Sequence, residues 1–165
     1  MILRVVASVV LLAALASCPR SEPRVRALAE PDLETAAILR GLVRDPAESD
    51  IAGLYARNTD RICIVRRDAG YRLGATVDYG EGIGCSAAGE VSRSGTRLSV
   101  RLSDTCRFEA AFDGDRIVFP AILPDGCASL CRKRASFGAV DVARLSASGA
   151  EAATMRTADG RLPCS

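Results

Sequence analysis

The central part of the chain alternates apolar and polar residues, a pattern typical of β-strands with one buried face. Each alternating segment is short and ends in a turn sequence, of which Asp113-Gly114 is a strong hairpin signal. The apolar positions are Tyr71, Leu73, Ala75, Val77, Ala87, Val91, Leu98, Val100, Leu102, Phe108, Ala110, Phe112, Ile117 and Phe119. The pattern predicts consecutive antiparallel β-hairpins.

Further strand sequences extend this region on both sides, at residues 53–57, 61–66 and 138–145. Together they give about eight short strands, and a meander of that kind hides its edges most simply by curling into a barrel. We therefore predict a mainly β fold, a small antiparallel up-and-down β-barrel stapled by disulfides. Because few side chains are bulky, we expect a filled interior rather than a ligand cavity.

Helical sequences flank the strands. Residues 31–44 predict an α-helix in which Asp32 lies at the positive end of the dipole and Pro46 prevents continuation. We expect its apolar face to pack on the barrel, and the alternative is that this face binds a partner. After the strands, Ser148 and Glu151 form a capping-box pair for a short helix reaching about Thr157.

The amino terminus has the organisation of a signal peptide. Arg4 supplies a positive charge, and the apolar run 5–15 is too short to span a bilayer. The residues Leu15-Ala16-Ser17-Cys18 resemble the lipobox of bacterial lipoproteins. The resemblance implies that residues 1–17 are removed and that Cys18 is diacylated. The alternative is an ordinary secreted protein cleaved near Ala16.

A lipoprotein of this kind is held on a membrane by its acyl chains, since two or three chains anchor stably. Residues 18–30 then form a tether, and residues 31–165 form a single barrel domain with the helix in front of it. The aspartate that signals inner-membrane retention in the family is absent, because Pro19 and Arg20 follow the cysteine. The resemblance therefore implies an anchor in the outer membrane, facing the periplasm.

The cysteines agree with export. Of the seven cysteines, acylation of one leaves an even set of six, at Cys63, Cys85, Cys106, Cys127, Cys131 and Cys164. An exported chain enters an oxidising compartment, so we expect three disulfides. Sequence alone does not select the pairing. Proximity in chain order favours Cys63 with Cys85, Cys106 with Cys127, and Cys131 with Cys164.

Composition removes several classes of function. There is no histidine, which excludes Ser-His and Cys-His catalysis and histidine-ligated metals. There is no tryptophan, aromatic residues make up only 4%, and the net charge is +2. These values argue against stacking platforms and against a basic stripe for nucleic acid. We expect no cofactor and no nucleic-acid partner.

The glycine-rich segment Asp78-Tyr79-Gly80-Glu81-Gly82-Ile83-Gly84 is the principal candidate site. It lacks the lysine and the following helix that a nucleotide-binding loop needs. We predict an exposed recognition loop, and the alternative is a β-bulge or a wide hairpin turn.

The remaining candidates have simpler explanations. Cys127 and Cys131 have zinc-ligand spacing, and also the spacing that places two sulfurs on one face of a helical turn, but no second ligand pair accompanies them. We predict no metal site. The run 132–134 is basic, and such runs are usually solvated. The close acidic pairs, Asp78 with Glu81 and Asp113 with Asp115, lie in turn sequences, where acids are common for local reasons.

Gly53, Tyr55 and Cys63, within a small all-β lipoprotein plan, resemble the half-lipocalin barrels of bacterial periplasmic protease inhibitors. Those barrels carry tryptophan where Tyr55 stands and have one disulfide. The resemblance therefore assigns no inhibitory residues to this chain. We predict a non-enzymatic envelope lipoprotein that presents a rigid domain to a protein partner. In one form of this hypothesis, the protein inhibits that partner. The alternatives are a barrel that binds a small apolar ligand or lipid, and a carboxylate-based hydrolase. The oligomeric state stays open.

Overall fold

The computed structural model describes residues 32–43, 45–46, 48–68 and 70–165. Eight strands of this part form a closed antiparallel barrel, in which each strand pairs with the next and the last pairs with the first. The barrel strands are β1 (Gly53–Arg57), β2 (Asp60–Arg67), β3 (Gly70–Asp78), β4 (Gly84–Ser94), β5 (Arg97–Arg101), β6 (Arg107–Phe112), β7 (Arg116–Val118) and β9 (Asp141–Ser146). The predicted antiparallel barrel is confirmed.

The connection from β7 to β9 contains a 3₁₀ helix, Asp125–Leu130, and a two-residue strand β8, Cys131–Arg132. Strand β8 pairs with the start of β4, so Cys131 lies opposite Cys85. The prediction that Cys127 and Cys131 share a face of one helical turn is wrong. Cys127 lies in the 3₁₀ helix, which has three residues per turn, whereas Cys131 is already extended.

Inward-facing side chains fill the barrel, in agreement with the sequence analysis. The largest fully buried residues include Tyr55, Phe112, Phe119 and Phe137. Tyr55 meets Phe112 edge-on, with ring centroids 6.5 Å apart. One continuous apolar core therefore occupies the space that a ligand cavity would need.

A second, smaller core lies outside the barrel wall. Helix α2 (Gly149–Ala153) and the carboxyl-terminal tail cover the outward-facing residues of β2. Ser148 caps the helix by accepting from Glu151 N at 3.2 Å, as predicted, but the helix ends before Thr157. The buried residues of this core are Cys63, Val65, Ala152, Met155 and Cys164.

The disulfides are Cys63–Cys164, Cys85–Cys131 and Cys106–Cys127. Three bridges were predicted, and the pairing of Cys106 with Cys127 is confirmed. The expected pairings of Cys63 with Cys85 and of Cys131 with Cys164 are wrong. Cys63 points outward under the tail, whereas Cys85 points into the barrel, so the two sulfurs lie on opposite faces of the sheet.

The first helix, α1 (Leu33–Leu39), is shorter than the predicted 31–44, whose two end positions lie outside the described residues. Asp32 caps it by accepting from Thr35 N at 2.8 Å. The prediction that its apolar face packs on the barrel is wrong, since no helix residue is buried and Leu33 is 91% exposed. Gly41, at φ +68°, ends the helix before Leu42 can extend that face.

Residues 45–46 and 48–52, here called the plug, close the end of the barrel where β1 begins. Arg144 of β9, with only 8% of its side chain exposed, donates to Ala52 O at 2.8 Å and to Asp50 O at 2.7 Å. Its guanidinium lies 4.8 Å from the centre of the Tyr55 ring. Arg93 donates to the carbonyls of Pro46 and Ser49. Two inward arginines thus bind the plug through its backbone.

Asp50 ties the plug to the barrel wall. Its carboxylate accepts hydrogen bonds from Arg66 at 2.7 Å and from the Tyr71 hydroxyl at 3.0 Å. Partial burial acts to raise the pKa of Asp50, but the bonds from Ala52 N, Arg66 and Tyr71 outweigh it and hold the pKa below its usual value. The plug carboxylate therefore stays ionised at neutral pH.

Removing the bridge that closes the longest loop is expected to destabilise the protein most. The Cys63–Cys164 bridge spans 101 residues and the Cys106–Cys127 bridge spans 21. The chain-entropy relation gives about 4.7 and about 3.4 kcal/mol for the two. We expect the double alanine variant of the first pair to have a lower free energy of unfolding, measured in urea, than that of the second. The reverse order would contradict this.

Candidate functional site

Residues 78–84, the predicted recognition loop, lie at the end of the barrel opposite the plug, because β3 runs in the same direction as β1. The backbone turns tightly: Tyr79 N donates to Ile83 O at 2.9 Å, and Ile83 N donates to Gly80 O at 2.8 Å. Asp78 accepts from Gly80 N at 2.9 Å. The loop is thus a wide hairpin turn in its backbone, and it leaves Tyr79 61% exposed.

The loop is held from outside by the segment that follows β8. Lys133 Nζ donates to Glu81 O at 2.7 Å. The Cys85–Cys131 bridge fixes β8 beside the base of the loop. In the sequence, the loop and the basic run 132–134 are separate features. Only the strand register and the disulfide, which chain order did not predict, place them together.

A cleft of about 280 Å³ separates this loop from the carboxyl-terminal tail. Asp159 and Arg161 form an ion pair at 2.7 Å on its tail side. The Thr157 hydroxyl donates a hydrogen bond to the Asp159 carboxylate. This bond, together with the contact to Arg161, lowers the pKa of Asp159, although desolvation acts to raise it. On the loop side, Arg132 has no carboxylate partner among the residues described. The cleft therefore offers one uncompensated positive charge.

A larger concave surface of about 860 Å³, here called the wall groove, lies on the outside of strands β2 to β6. The alternation of apolar and polar residues gives no sign of this groove, because its polar residues sit at the ordinary outward positions of alternating strands. The outward side chains that line it are Arg67, Arg72, Glu90, Ser92, Ser99, Arg101, Arg107 and Glu109.

The aspartates of the two close acidic pairs make local contacts. Asp78 accepts from the backbone of its own loop, and Asp113 accepts from Asp115 N at 3.1 Å. Asp115 pairs with Arg144 at 3.2 Å. These carboxylates therefore have the local structural roles that turn sequences favour.

The cysteines at 127 and 131 belong to two different disulfides, so neither supplies a thiolate to a metal. Within the described ranges, no group of three or more cysteine, aspartate or glutamate side chains is placed to hold a metal ion. Cys18, the predicted lipidation site, lies outside these ranges.

The residues behind the half-lipocalin resemblance have structural roles. Gly53 lies against β9, where an added Cβ would stand 2.3 Å from Ser146 O. The Tyr55 hydroxyl donates to Ile51 O at 2.9 Å, and burial raises its pKa. Cys63 holds the tail through its bridge to Cys164. All three residues position the barrel, the plug or the tail.

Comparison with known proteins adds no relative: the chain matches no protein-family model, no curated protein and no solved structure. In the part of the chain that the structure covers, none of the helices has the length and apolar character needed to cross a bilayer.

Substituting the loop glycines tests whether the loop conformation is fixed. Gly80 and Gly82 have φ angles of +80° and +71°, with open space around each added Cβ. Alanine there is strained by about 1 kcal/mol, so we expect Gly80→Ala and Gly82→Ala to lower the free energy of unfolding by that amount. The matched control Gly149→Ala, in helix α2, should leave it unchanged or raise it by about 0.5 kcal/mol. Equal effects at all three positions would show that the loop relaxes.

Proposed function

We propose that this protein is a non-enzymatic lipoprotein of the cell envelope that presents its recognition loop to a protein partner. One observation carries the proposal. Tyr79 is 61% exposed in a loop that turn hydrogen bonds, Lys133 and the Cys85–Cys131 bridge hold in place. Binding residues commonly lie on loops positioned by a rigid scaffold, and a loop that is already ordered loses little entropy on binding.

The filled barrel favours this proposal over an internal ligand. Small-molecule sites are concave spaces of several hundred Å³, whereas Tyr55, Phe112, Phe119 and Phe137 occupy the centre of this barrel. The concave surfaces described above lie outside the barrel wall. Recognition from outside, by another macromolecule, is the use that such surfaces support.

Inhibition is the form of partner binding that we favour. A rigid projecting loop with an exposed tyrosine can fill a pocket of a partner, and tyrosine is enriched among the residues that dominate binding energy. The small barrel resembles the half-lipocalin protease inhibitors in plan. That resemblance supports the class of function, and the loop residues are those of this chain alone.

The membrane anchor completes the proposal. The lipobox Leu15-Ala16-Ser17-Cys18 follows an apolar leader, and six further cysteines pair into three bridges, as expected of an exported chain. We propose that Cys18 is diacylated and that the barrel faces the periplasm from the outer membrane. The partner is then an envelope protein within reach of a tether of residues 18–30.

Metabolic labelling tests the anchor. In a bacterial host that is fed an alkyne fatty acid, the full chain should incorporate label, and Cys18→Ser should abolish it because the acylated sulfur is gone. The double variant Cys85→Ser and Cys131→Ser is the matched control and should keep the label. Persistence of label in Cys18→Ser would disprove lipidation at this residue.

Photo-crosslinking tests the recognition loop. A photoreactive amino acid at position 79 of the full chain in envelope preparations should give a discrete crosslinked protein, and the same amino acid at Ser94, exposed near the plugged end, should not. With the captured partner purified, Tyr79→Ala should weaken binding about tenfold or more, as loss of a central aromatic contact does. Equal crosslinking at both positions, or none at position 79, would refute the proposal.

A further inference from the structure

We propose that the wall groove is a second contact surface, at which a carboxylate-bearing segment of the protein partner binds to Arg67 and Arg72. This inference rests on the proposed function and adds the chemistry of the partner. It concerns the outer face of strands β2 to β6, away from the loop that carries Tyr79. Three observations support the inference: the shape of the groove, the charge along it, and the preorganisation of the two arginines.

The register of the strands explains the shape of the groove. Gly70, Ser92 and Ser99 follow one another on β3, β4 and β5 and form a floor of small side chains. The adjacent outward row consists of long side chains on four successive strands. That row is Arg72, Glu90, Arg101 and Arg107. A floor of small residues beside a wall of long ones produces a depression in the sheet surface.

Positive charge is left uncompensated on one side of the groove. Arg101 pairs with Glu90, and Arg107 pairs with Asp104 at 3.0 Å. Arg67 and Arg72 have no carboxylate partner within the described segments of the chain. Each donates instead to a backbone carbonyl, which orients a guanidinium without cancelling its charge.

The carboxyl-terminal tail holds these two arginines in place. Arg72 Nε donates to Pro163 O at 2.6 Å, and Arg67 Nη2 donates to Cys164 O at 3.1 Å. Both acceptor residues are buried, and the Cys63–Cys164 bridge ties them to β2. A guanidinium has five N–H donors, so each arginine keeps donors for a planar carboxylate. Their order before binding reduces the entropy lost on binding.

The opposite side of the groove carries the opposite charge. Glu109 accepts a hydrogen bond from the Ser99 hydroxyl and has no cationic partner in the residues described. A uniformly anionic ligand such as a polyphosphate would be repelled there. A peptide segment can place a carboxylate on the arginine side and neutral or basic groups near Glu109, which favours a peptide as the occupant.

The closed barrel determines how such a peptide is recognised. Along the floor of the groove, β3, β4 and β5 are each paired on both sides, so the backbone there offers no free edge for an added strand, whereas residues 107–110 of β6 pair with β5 alone. Recognition must come from the side chains that line the groove. A space of about 860 Å³ accommodates a few residues of peptide.

Calorimetric titration with a Glu-Glu-Gly-Gly peptide, blocked at both ends and here called the glutamyl peptide, tests the inference on the full chain. We expect binding that weakens as salt is added. Arg67→Gln and Arg72→Gln should each reduce affinity about threefold or more, since glutamine keeps an amide donor but removes the charge. Glu109→Gln should increase affinity. The matched control Arg97→Gln, outside the groove on β5, should bind like the unmodified protein.

Several results would overturn the inference: no binding of the glutamyl peptide, unchanged affinity in Arg67→Gln, or tighter binding of tripolyphosphate than of the glutamyl peptide. Arg67→Gln and Glu109→Gln keep the test valid if Arg72→Gln proves to be unfolded. Failure of the inference is distinguishable from failure of the proposed function. If the partner captured through position 79 binds the Arg67→Gln variant unchanged, the groove assignment fails and the function stands. If the glutamyl peptide binds as expected but position 79 captures nothing, the function fails.

Discussion

Pairing of β9 with β1 and β7 is the interaction on which the rest of the structure depends. It closes the barrel and brings Arg144 over Tyr55, where its guanidinium fastens the plug. Each barrel strand then has a neighbour on both sides, which leaves little backbone free for strand addition. A partner is then recognised chiefly through loops and outward side chains, and both proposed contact surfaces are of that kind.

The alternating pattern predicted the barrel because each strand buries one face, and that alternation is visible without any partner strand. The same alternation puts Cys85 on the face of Ala87 and Val91, and all three are buried in the core. It failed at Cys63, where the run Ile62 to Val65 is apolar on both faces. Ile62 and Ile64 point into the barrel, whereas Cys63 and Val65 lie under the carboxyl-terminal tail. An uninterrupted apolar run indicates that both faces of the strand are buried, but it does not reveal what covers the outer face. The disulfide pairing predicted for Cys63 from chain order was therefore wrong.

The two candidate surfaces differ in how far a sequence can reveal them. The loop at 78–84 is local: its glycines and acids are consecutive, and their turn chemistry is visible in the sequence. The wall groove draws its residues from five strands, and its depth comes from register, which places Ser92 beside Ser99. Outward arginines usually indicate only a solvated face. Identifying those without a carboxylate partner required the positions of Asp104 and Glu90.

The carboxyl-terminal tail links stability to recognition. Through Cys164 it seals the outer core on β2, and its buried backbone carbonyls orient Arg67 and Arg72 at the wall groove. Gly74 permits this close approach, because an added Cβ would stand 2.6 Å from the Pro163 ring. The same covalent bond that restricts the unfolded chain over its longest loop therefore also fixes the uncompensated charges. Loss of this bond would free the carboxyl-terminal tail, and Arg67 and Arg72 would then lose the acceptors that order them.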